Sequence, residues 1–313
     1  MDQPNEKIPR EIWKTSFKAL GTDITLQIVS KTVEEGLAEK IKDFYAAQNK
    51  VFSRFDLDSE IFQLNQNLGF FNPASFDMIE IVKRSLEYHK RTGQYFDPRI
   101  LEVLERAGYK KDFKLSQFFE TGDVVAVEKL SGDLARDLKI KDGKVFFGRR
   151  MDFSGIAKGF ITDKAADFLR KKGYENFLVD SGGDMRAAGK NEEGSDWLIS
   201  LEGFKDEEIL IKLGEDFSGV ATSGITRRKW QNKKGRFHHL IDPKNPARFA
   251  FDLKSVTVVS GDCEEADIWA KTLFLLGRER GMFFSEKSGM KSIFVDYKGN
   301  AYLSSGMKEV VIK

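Results

Sequence analysis

Three separated stretches of this chain bring glycine, lysine, aspartate and histidine together in patterns suited to a phosphate or nucleotide. The first is Asp152-Phe-Ser-Gly-Ile-Ala-Lys-Gly159. The second is Gly219-Val-Ala-Thr-Ser-Gly224, followed by His238-His-Leu-Ile-Asp-Pro243. The third is Ser255-Val-Thr-Val258, followed by Ala266-Asp-Ile-Trp-Ala-Lys-Thr272. Glycine lets a backbone approach an oxyanion, Lys158 adds a positive charge, and Asp267 is of a type that holds a divalent cation. Together they are what an enzyme needs to grip and cleave a pyrophosphate.

Each stretch also has a plainer reading. If a helix begins near Ile156, the N–H groups of its first turn point into the preceding loop, and Lys158 is close enough to neutralise a phosphate. Otherwise the motif is a capped helix start with Lys158 in solvent. Gly219 to Gly224 approaches the spacing of a P-loop, but Ile225 stands where the phosphate-binding lysine belongs, so a Walker site is rejected. His238 and His239 lie just before a turn at Asp242-Pro243. Histidines beside a strand are more often structural than catalytic, yet they are rare in this chain and follow the turn predicted at Ala221 to Gly224. Asp267 and Lys271 share a helix face, either as an ion pair worth roughly 0.3–0.5 kcal/mol or as part of a metal site. Pro98 biases Asp97 to an extended conformation. Tyr95, Phe96 and Asp97 then form a nucleotide-contacting loop, with Asp97 accepting hydrogen bonds, or a turn that caps a helix.

These residues need elements to hold them. Phe17 to Val29 alternates and reads as a strand or hairpin broken at Gly21. Val33 to Phe55 and Asp77 to Thr92 carry apolar residues at helical spacing, with a loop from Asn65 to Ala74 between them. Asp142-Gly143 turns a hairpin within Lys139 to Phe147. Phe160, Ile161, Ala165, Phe168 and Leu169 form one helical face ending near Gly173. Strands are predicted at Asn176 to Val179, Trp197 to Leu201, Glu208 to Leu213, Lys254 to Val259, Ser292 to Asp296 and Val310 to Ile312, with Lys298-Gly299-Asn300 turning the last pair. Strands and helices that alternate without strict βαβ rhythm predict an α+β fold with mixed or antiparallel sheets. No repeat or proline-rich linker divides the chain, which reads as an extension over residues 1–16 and one domain over 17–313.

At 313 residues the chain is long enough to bury a substantial core. Hydrophobic residues at 41% and charged residues at 32% are ordinary for a soluble globular protein. A net charge of +2 gives no reason to expect nucleic acid as a partner, and Lys110-Lys111 and Lys233-Lys234 read as solvated surface. The single Cys263 excludes an internal disulfide and a cysteine-based zinc site, and its acidic neighbours disfavour a thiolate. No apolar run is long enough to span a bilayer, and Met1 to Trp13 lacks the apolar core of a signal peptide. As written the chain is expected in the cytoplasm, although a trimmed exported protein would look the same.

Between Phe17 and Gly277 the chain resembles the ApbE-like FAD:protein FMN transferases, also called thiamine-biosynthesis lipoproteins. The resemblance is carried by Ala19-Leu-Gly-Thr22, Phe52-Ser-Arg-Phe55 with Ser59-Glu60 and Leu64-Asn65, and Gly93-Gln-Tyr-Phe-Asp-Pro98. It continues through the Asp152 motif, Leu178 to Gly183, Ala221 to Gly224, His239 to Pro243 and Ser255 to Gly277. It implies an α+β, T-fold-like domain that binds FAD in a cleft and moves FMN to a threonine or serine hydroxyl of a partner flavoprotein, releasing AMP. It implies that Leu20, Phe55, Tyr95, Phe96, Asp97, Asp152, Lys158 and the His239 region line the flavin nucleotide pocket. Lys158, His239 and Asp267 are the expected catalytic residues, with His239 as the base. Magnesium is implied at the Gly155 and Glu264 carbonyls, at Asp267 and at the position of Lys271. Family members carry threonine at that last position, and a charged lysine has donors only. Ser154 in place of glycine and Leu20 in place of methionine are smaller departures. An FAD-binding protein without transfer activity, or a pyrophosphatase splitting FAD to FMN and AMP, are the alternatives that Lys271 keeps open.

Overall fold

The computed structural model describes residues 11–109, 130, 132–201, 204, 209–226, 228–232 and 235–312. Residues 1–10 of the predicted extension, and the pairs Lys110-Lys111 and Lys233-Lys234, lie outside that set. Alternation decides the first elements. In β2 (Thr22–Val29), Ile24, Leu26 and Ile28 are buried while Asp23, Thr25 and Gln27 face outward, the period of a half-buried strand. Its partner β1 (Ile12–Ala19) pairs along its whole length and starts inside the stretch read as an extension. The hairpin closes at Leu20 and Gly21, both at positive φ, 51° and 71°, which suits the right-handed twist of the flanking strands. Leucine adopts this conformation only at a cost.

An eight-stranded sheet in the order β1-β2-β6-β7-β10-β13-β14-β15 organises the fold. Its later members are β6 (Phe177–Ser181), β7 (Met185–Ala188), β10 (Gly219–Gly224), β13 (Leu253–Ser260), β14 (Lys291–Asp296) and β15 (Ala301–Leu303). Every pairing among the described residues is antiparallel. Side chains of one sheet face pack under helices α1 (Leu37–Phe52), α3 (Phe76–Arg91) and α5 (Ser154–Lys171) around Ile24, Leu26, Phe177 and Val179. Farther along the sheet, Ala221, Val256, Val258 and Phe294 pack with α6 (Cys263–Leu276) and the adjoining α7 (Arg278–Ser288). Leu178, Val220, Val259, Ile293 and Val295 belong to a separate cluster that includes β8 (Trp197–Leu201), β9 (Ile209–Leu213) and β16 (Val311–Ile312). Small helices α2 (Glu60–Gln66) and α4 (Leu101–Arg106), the sheet β3-β5-β4 (Phe71–Pro73, Lys144–Phe147, Leu138–Lys141), and the hairpin β11-β12 (Lys229–Asn232, Gly235–His238) complete the described α-helices and strands. No described helix is long and apolar enough to cross a membrane.

Several expectations change. Gly219 to Gly224 is a strand inside the main sheet, not a turn, and its glycines serve close approach. A methyl on Gly219 would collide with the Asp262 backbone, and one on Gly224 would lie 2.9 Å from the Lys254 carbonyl oxygen. Lys298-Gly299-Asn300 joins β14 to β15, while β16 crosses to pair with β9. The loop Asn65 to Ala74 contains β3, and the helix of the Asp152 motif starts at Ser154 rather than Ile156.

Helices α5 and α6 meet at Gly159. A methyl there would sit 2.6 Å from Glu264 Cα and 2.8 Å from the Cys263 carbonyl oxygen. One turn farther along α5, Asp163 accepts hydrogen bonds from the Cys263 and Glu264 N–H groups at 3.0 and 2.8 Å. Asp262 accepts from Glu265 N–H at 2.7 Å, so two carboxylates satisfy the first donors of α6. Gly159→Ala is a sign test of this contact. At a free helical position alanine stabilises by roughly 0.5–1 kcal/mol over glycine, whereas overpacking costs about 1–3 kcal/mol. Urea unfolding should show a loss, and a gain would mean that the helices are not in contact at this point.

Candidate active site

The turn from β6 to β7 places an acid that the sequence pattern did not single out. Asp180 Oδ1 accepts from Gly183 N–H at 2.7 Å, and Gly182 and Gly183 have φ of 69° and 94°. A methyl on Gly182 would collide with the Thr22 side chain, so glycine is required on both counts. The turn buries Asp184, whose side chain is 1% exposed and whose Oδ2 lies 2.9 Å from Lys158 Nζ. Behind Lys158, Thr162 Oγ1 and Tyr45 Oη lie 2.8 and 2.9 Å from Ser181 Oγ, tying α5 and α1 to β6.

A second acid and lysine stand on α6. The Lys271 ammonium contacts Asp267 Oδ1, and Gly159 N–H lies 3.4 Å from Asp267 Oδ2. Asp267 is buried, while the Lys271 and Lys158 side chains are 20% and 30% exposed. The two carboxylates are thus buried beneath lysine side chains that are themselves only partly exposed. Burial and then repulsion from Asp267 push the Asp184 carboxyl up to about 6, with Lys158 pulling the other way. Burial works against the Lys158 ammonium, but Asp184 and Asp267 outweigh it and hold its pKa above the usual lysine value.

His239 lies within electrostatic range of Lys271. Burial, followed by the Arg228 cation, holds its imidazole well below the usual histidine range, and Lys271 adds to that effect. Its Nδ1 lies 3.3 Å from the Arg228 carbonyl oxygen, which only accepts, so Nδ1 carries the proton and Nε2 the lone pair. His238 is a different case. It is buried among Phe249, Phe251 and Phe274 with Nε2 2.9 Å from the Ala250 carbonyl oxygen, a packing role.

Gly155 and Phe96 complete the group around Lys271. A methyl at Gly155 would lie 3.4 Å from the Phe96 ring and 3.8 Å from Lys271 Cδ. Other expected pocket residues have structural partners. Asp97 is buried, and its carboxylate takes Arg99 N–H, Nε and Nη2 at 2.9, 3.0 and 2.7 Å. It caps the 3-10 turn Pro98–Ile100, as the capping reading of this loop has it. Asp152 Oδ1 accepts from Ser154 N–H at 2.7 Å, and Oδ2 lies 3.2 Å from Arg54 Nε. Tyr95 Oη accepts from Arg280 at 3.1 Å with the Lys244 ammonium 4.3 Å over its ring. Leu20 packs against the core from the β1–β2 turn. Phe55 lies under the Arg54 guanidinium at 4.2 Å and edge-on to Tyr109, which stacks on Trp230. The Glu264 side chain pairs with Arg84 at 3.1 Å, and burial pushes its carboxyl up to about 7. The structure thus gathers Lys158, Asp267, Lys271, Gly155 and Phe96 and adds Asp184, with His239 and Arg228 within electrostatic range of the lysines. The Ser181-Gly182-Gly183 turn was the available signal for Asp184, since an acid just after a tight glycine turn is aimed by it.

A family model described as the ApbE family matches residues 20–294. The chain belongs to the ApbE family. A FAD:protein FMN transferase of Vibrio cholerae is 33% identical over 324 residues, covering 97% of this chain and 94% of the relative. One from Haemophilus influenzae is 28% identical, covering 92% and 88%. The structure of the flavin transferase ApbE from Vibrio cholerae superposes with a TM-score of 0.82 at 25% identity, over 96% of this chain and 100% of the other. The ApbE protein of Thermotoga maritima shares the fold with a TM-score of 0.84, over 97% and 100%.

The magnesium that the resemblance implies does not fit the side chains at this position. Asp267 is taken by the Lys271 ammonium, which has no lone pair to offer a cation. Among the described residues, no three histidine, cysteine, aspartate or glutamate side chains converge as a metal cage.

Asp184 yields a test by pH. Its folded pKa of about 6 lies above the ordinary value of 3.8, so the folded state binds the proton more tightly. The stability this contributes is complete below the ordinary value and is lost as pH rises to about 6. Urea unfolding of the parent and of Asp184→Asn should show the parent losing roughly 2–3 kcal/mol relative to the variant across that window. Parallel curves would show that the carboxyl titrates normally.

Proposed function

We propose that this protein is an FAD:protein FMN transferase, taking FMN from FAD and attaching it to a threonine or serine hydroxyl of an acceptor flavoprotein. The observation that carries this reading is the pair of ammonium groups, Lys158 and Lys271, held by buried Asp184 and Asp267 within electrostatic range of a neutral His239. Such an arrangement suits a pyrophosphate, whose charge the two cations meet, next to a base that is free of its proton at neutral pH.

In this reading His239 Nε2 accepts the proton of the acceptor hydroxyl as its oxygen attacks the FMN phosphorus. The phosphorus–oxygen bond to AMP breaks, and AMP leaves with the electron pair. Lys158 stabilises the phosphoryl oxygens, and its fixed ion pair with Asp184 keeps the charge in place without reorganisation. Phe96 walls the cluster, while Phe55 and the aromatic rings beyond it offer an apolar surface for the flavin.

The test is to incubate protein, FAD and an acceptor flavoprotein, then measure AMP and flavin fluorescence on the denatured acceptor. Transfer gives both, a pyrophosphatase gives AMP without labelled acceptor, and a flavin carrier gives neither. Lys158→Ala should weaken FAD binding by about 1–3 kcal/mol, read by calorimetry. His239→Ala should retain FAD binding and lower the rate of acceptor labelling roughly 10²- to 10⁴-fold. Equal affinity in the first variant or an equal rate in the second counts against the assigned role.

A further inference from the structure

Lys271 combines three features that a solvent-facing lysine lacks. Its ammonium is on Asp267 Oδ1 and lies 3.5 Å from the Asp267 carbonyl oxygen, so it meets two oxygens of the kind that a hard cation uses. Its stem runs beside Gly155, which the Phe96 ring also approaches, so the stem lies in a packed corner of the cluster. Its partner carboxylate is almost fully buried and needs a counter-charge from within the protein. With Lys158 on Asp184, the two acids of the cluster are already balanced by two lysines. A divalent ion would add two positive charges beside ammonium groups that cannot coordinate it.

We propose that Lys271 is the resident cation of this site, standing on Asp267 in place of the magnesium implied by the fold, so that a pyrophosphate is held between Lys158 and Lys271 without a divalent metal. The inference deepens the transferase reading and rests on it for the pyrophosphate. Its claim that flavin-free protein has no divalent-metal site is testable without that reading. The ammonium supplies charge and hydrogen-bond donors to the phosphoryl oxygens, as a point charge with three rotatable donors can.

The experiment uses the whole chain after exhaustive treatment with EDTA. Manganese is titrated into flavin-free protein and followed by electron paramagnetic resonance. FAD affinity and AMP release in the presence of acceptor are measured in EDTA and in magnesium. The parent should show no saturable manganese site in the millimolar range, and its FAD affinity and AMP release should agree within about twofold between EDTA and magnesium. Lys271→Thr should gain manganese binding, and its AMP release should fall about tenfold or more in EDTA and recover with magnesium. Lys271→Arg keeps the charge and should behave as the parent. Saturable manganese binding by the flavin-free parent, or loss of its AMP release in EDTA, overturns the proposal. If no variant releases AMP under any condition, the transferase reading fails while the manganese titration still decides what Lys271 does. Should the threonine variant fail to fold, judged by circular dichroism, the parent and arginine proteins decide between the same two outcomes.

Discussion

The absent side chain at Gly159 sets the distance on which the cluster depends. Because α5 can touch the backbone of α6 there, residues on either side of the glycine take different tasks. Lys158 reaches Asp184 in the turn between β6 and β7, and Asp163 reaches under the first turn of α6 to accept two of its N–H groups. Asp267, one turn into α6, then comes within reach of Gly159 N–H. Burial pushes the Asp163 carboxyl up to about 6 although Arg186 and the two N–H groups draw it down. Burial therefore outweighs the favourable partners of the ionised acid. A helix cap contributes about 1 kcal/mol, so the arrangement is better understood as fixing how the helices meet than as a large gain in stability.

The polarity of the cluster follows from which charges are buried. A buried carboxylate cannot turn to water, so its lysine partner is fixed in direction, and the lysine presents the remaining donors outward. The result is two partly exposed cations over two buried acids, oriented before any ligand arrives. His239 belongs to the same field. The neighbouring Arg228 and Lys271 cations add to burial in disfavouring imidazolium, which leaves a base rather than a third cation.

What the sequence made legible was periodic. The burial of α1 and α3 follows helical spacing, and the Leu20-Gly21 and Asp142-Gly143 turns were marked by the one residue type that accepts positive φ cheaply. Gly219 and Gly224 show the limit of that signal, because a glycine spared for a turn and one spared for close approach look alike in a sequence. Asp97 and Asp152 show another. Both were expected to line a nucleotide site, and both also accept from a backbone N–H of their own segment and pair with an arginine, a structural task the sequence did not separate from the first. An acid that binds a ligand and an acid that caps a turn share the same composition and the same neighbouring proline or serine. Asp184 went unread for the converse reason, since its importance comes from α5, a partner distant in sequence.

Asp267 and Lys271 carried two readings, a helical ion pair and a metal position, and burial changes the weight of the first. On an exposed helix face the pair would contribute only about 0.3–0.5 kcal/mol. Breaking a fully buried pair costs on the order of 3–5 kcal/mol, because the remaining charge has lost its partner without regaining water. Here the acid is buried and the lysine partly exposed, so the interaction falls between those limits and is asymmetric. Removing the lysine would strand a carboxylate, whereas removing the carboxylate would leave an ammonium that solvent can reach. The acid is thus the member that requires a cation, and lysine meets that requirement with a charge the chain cannot lose by dilution.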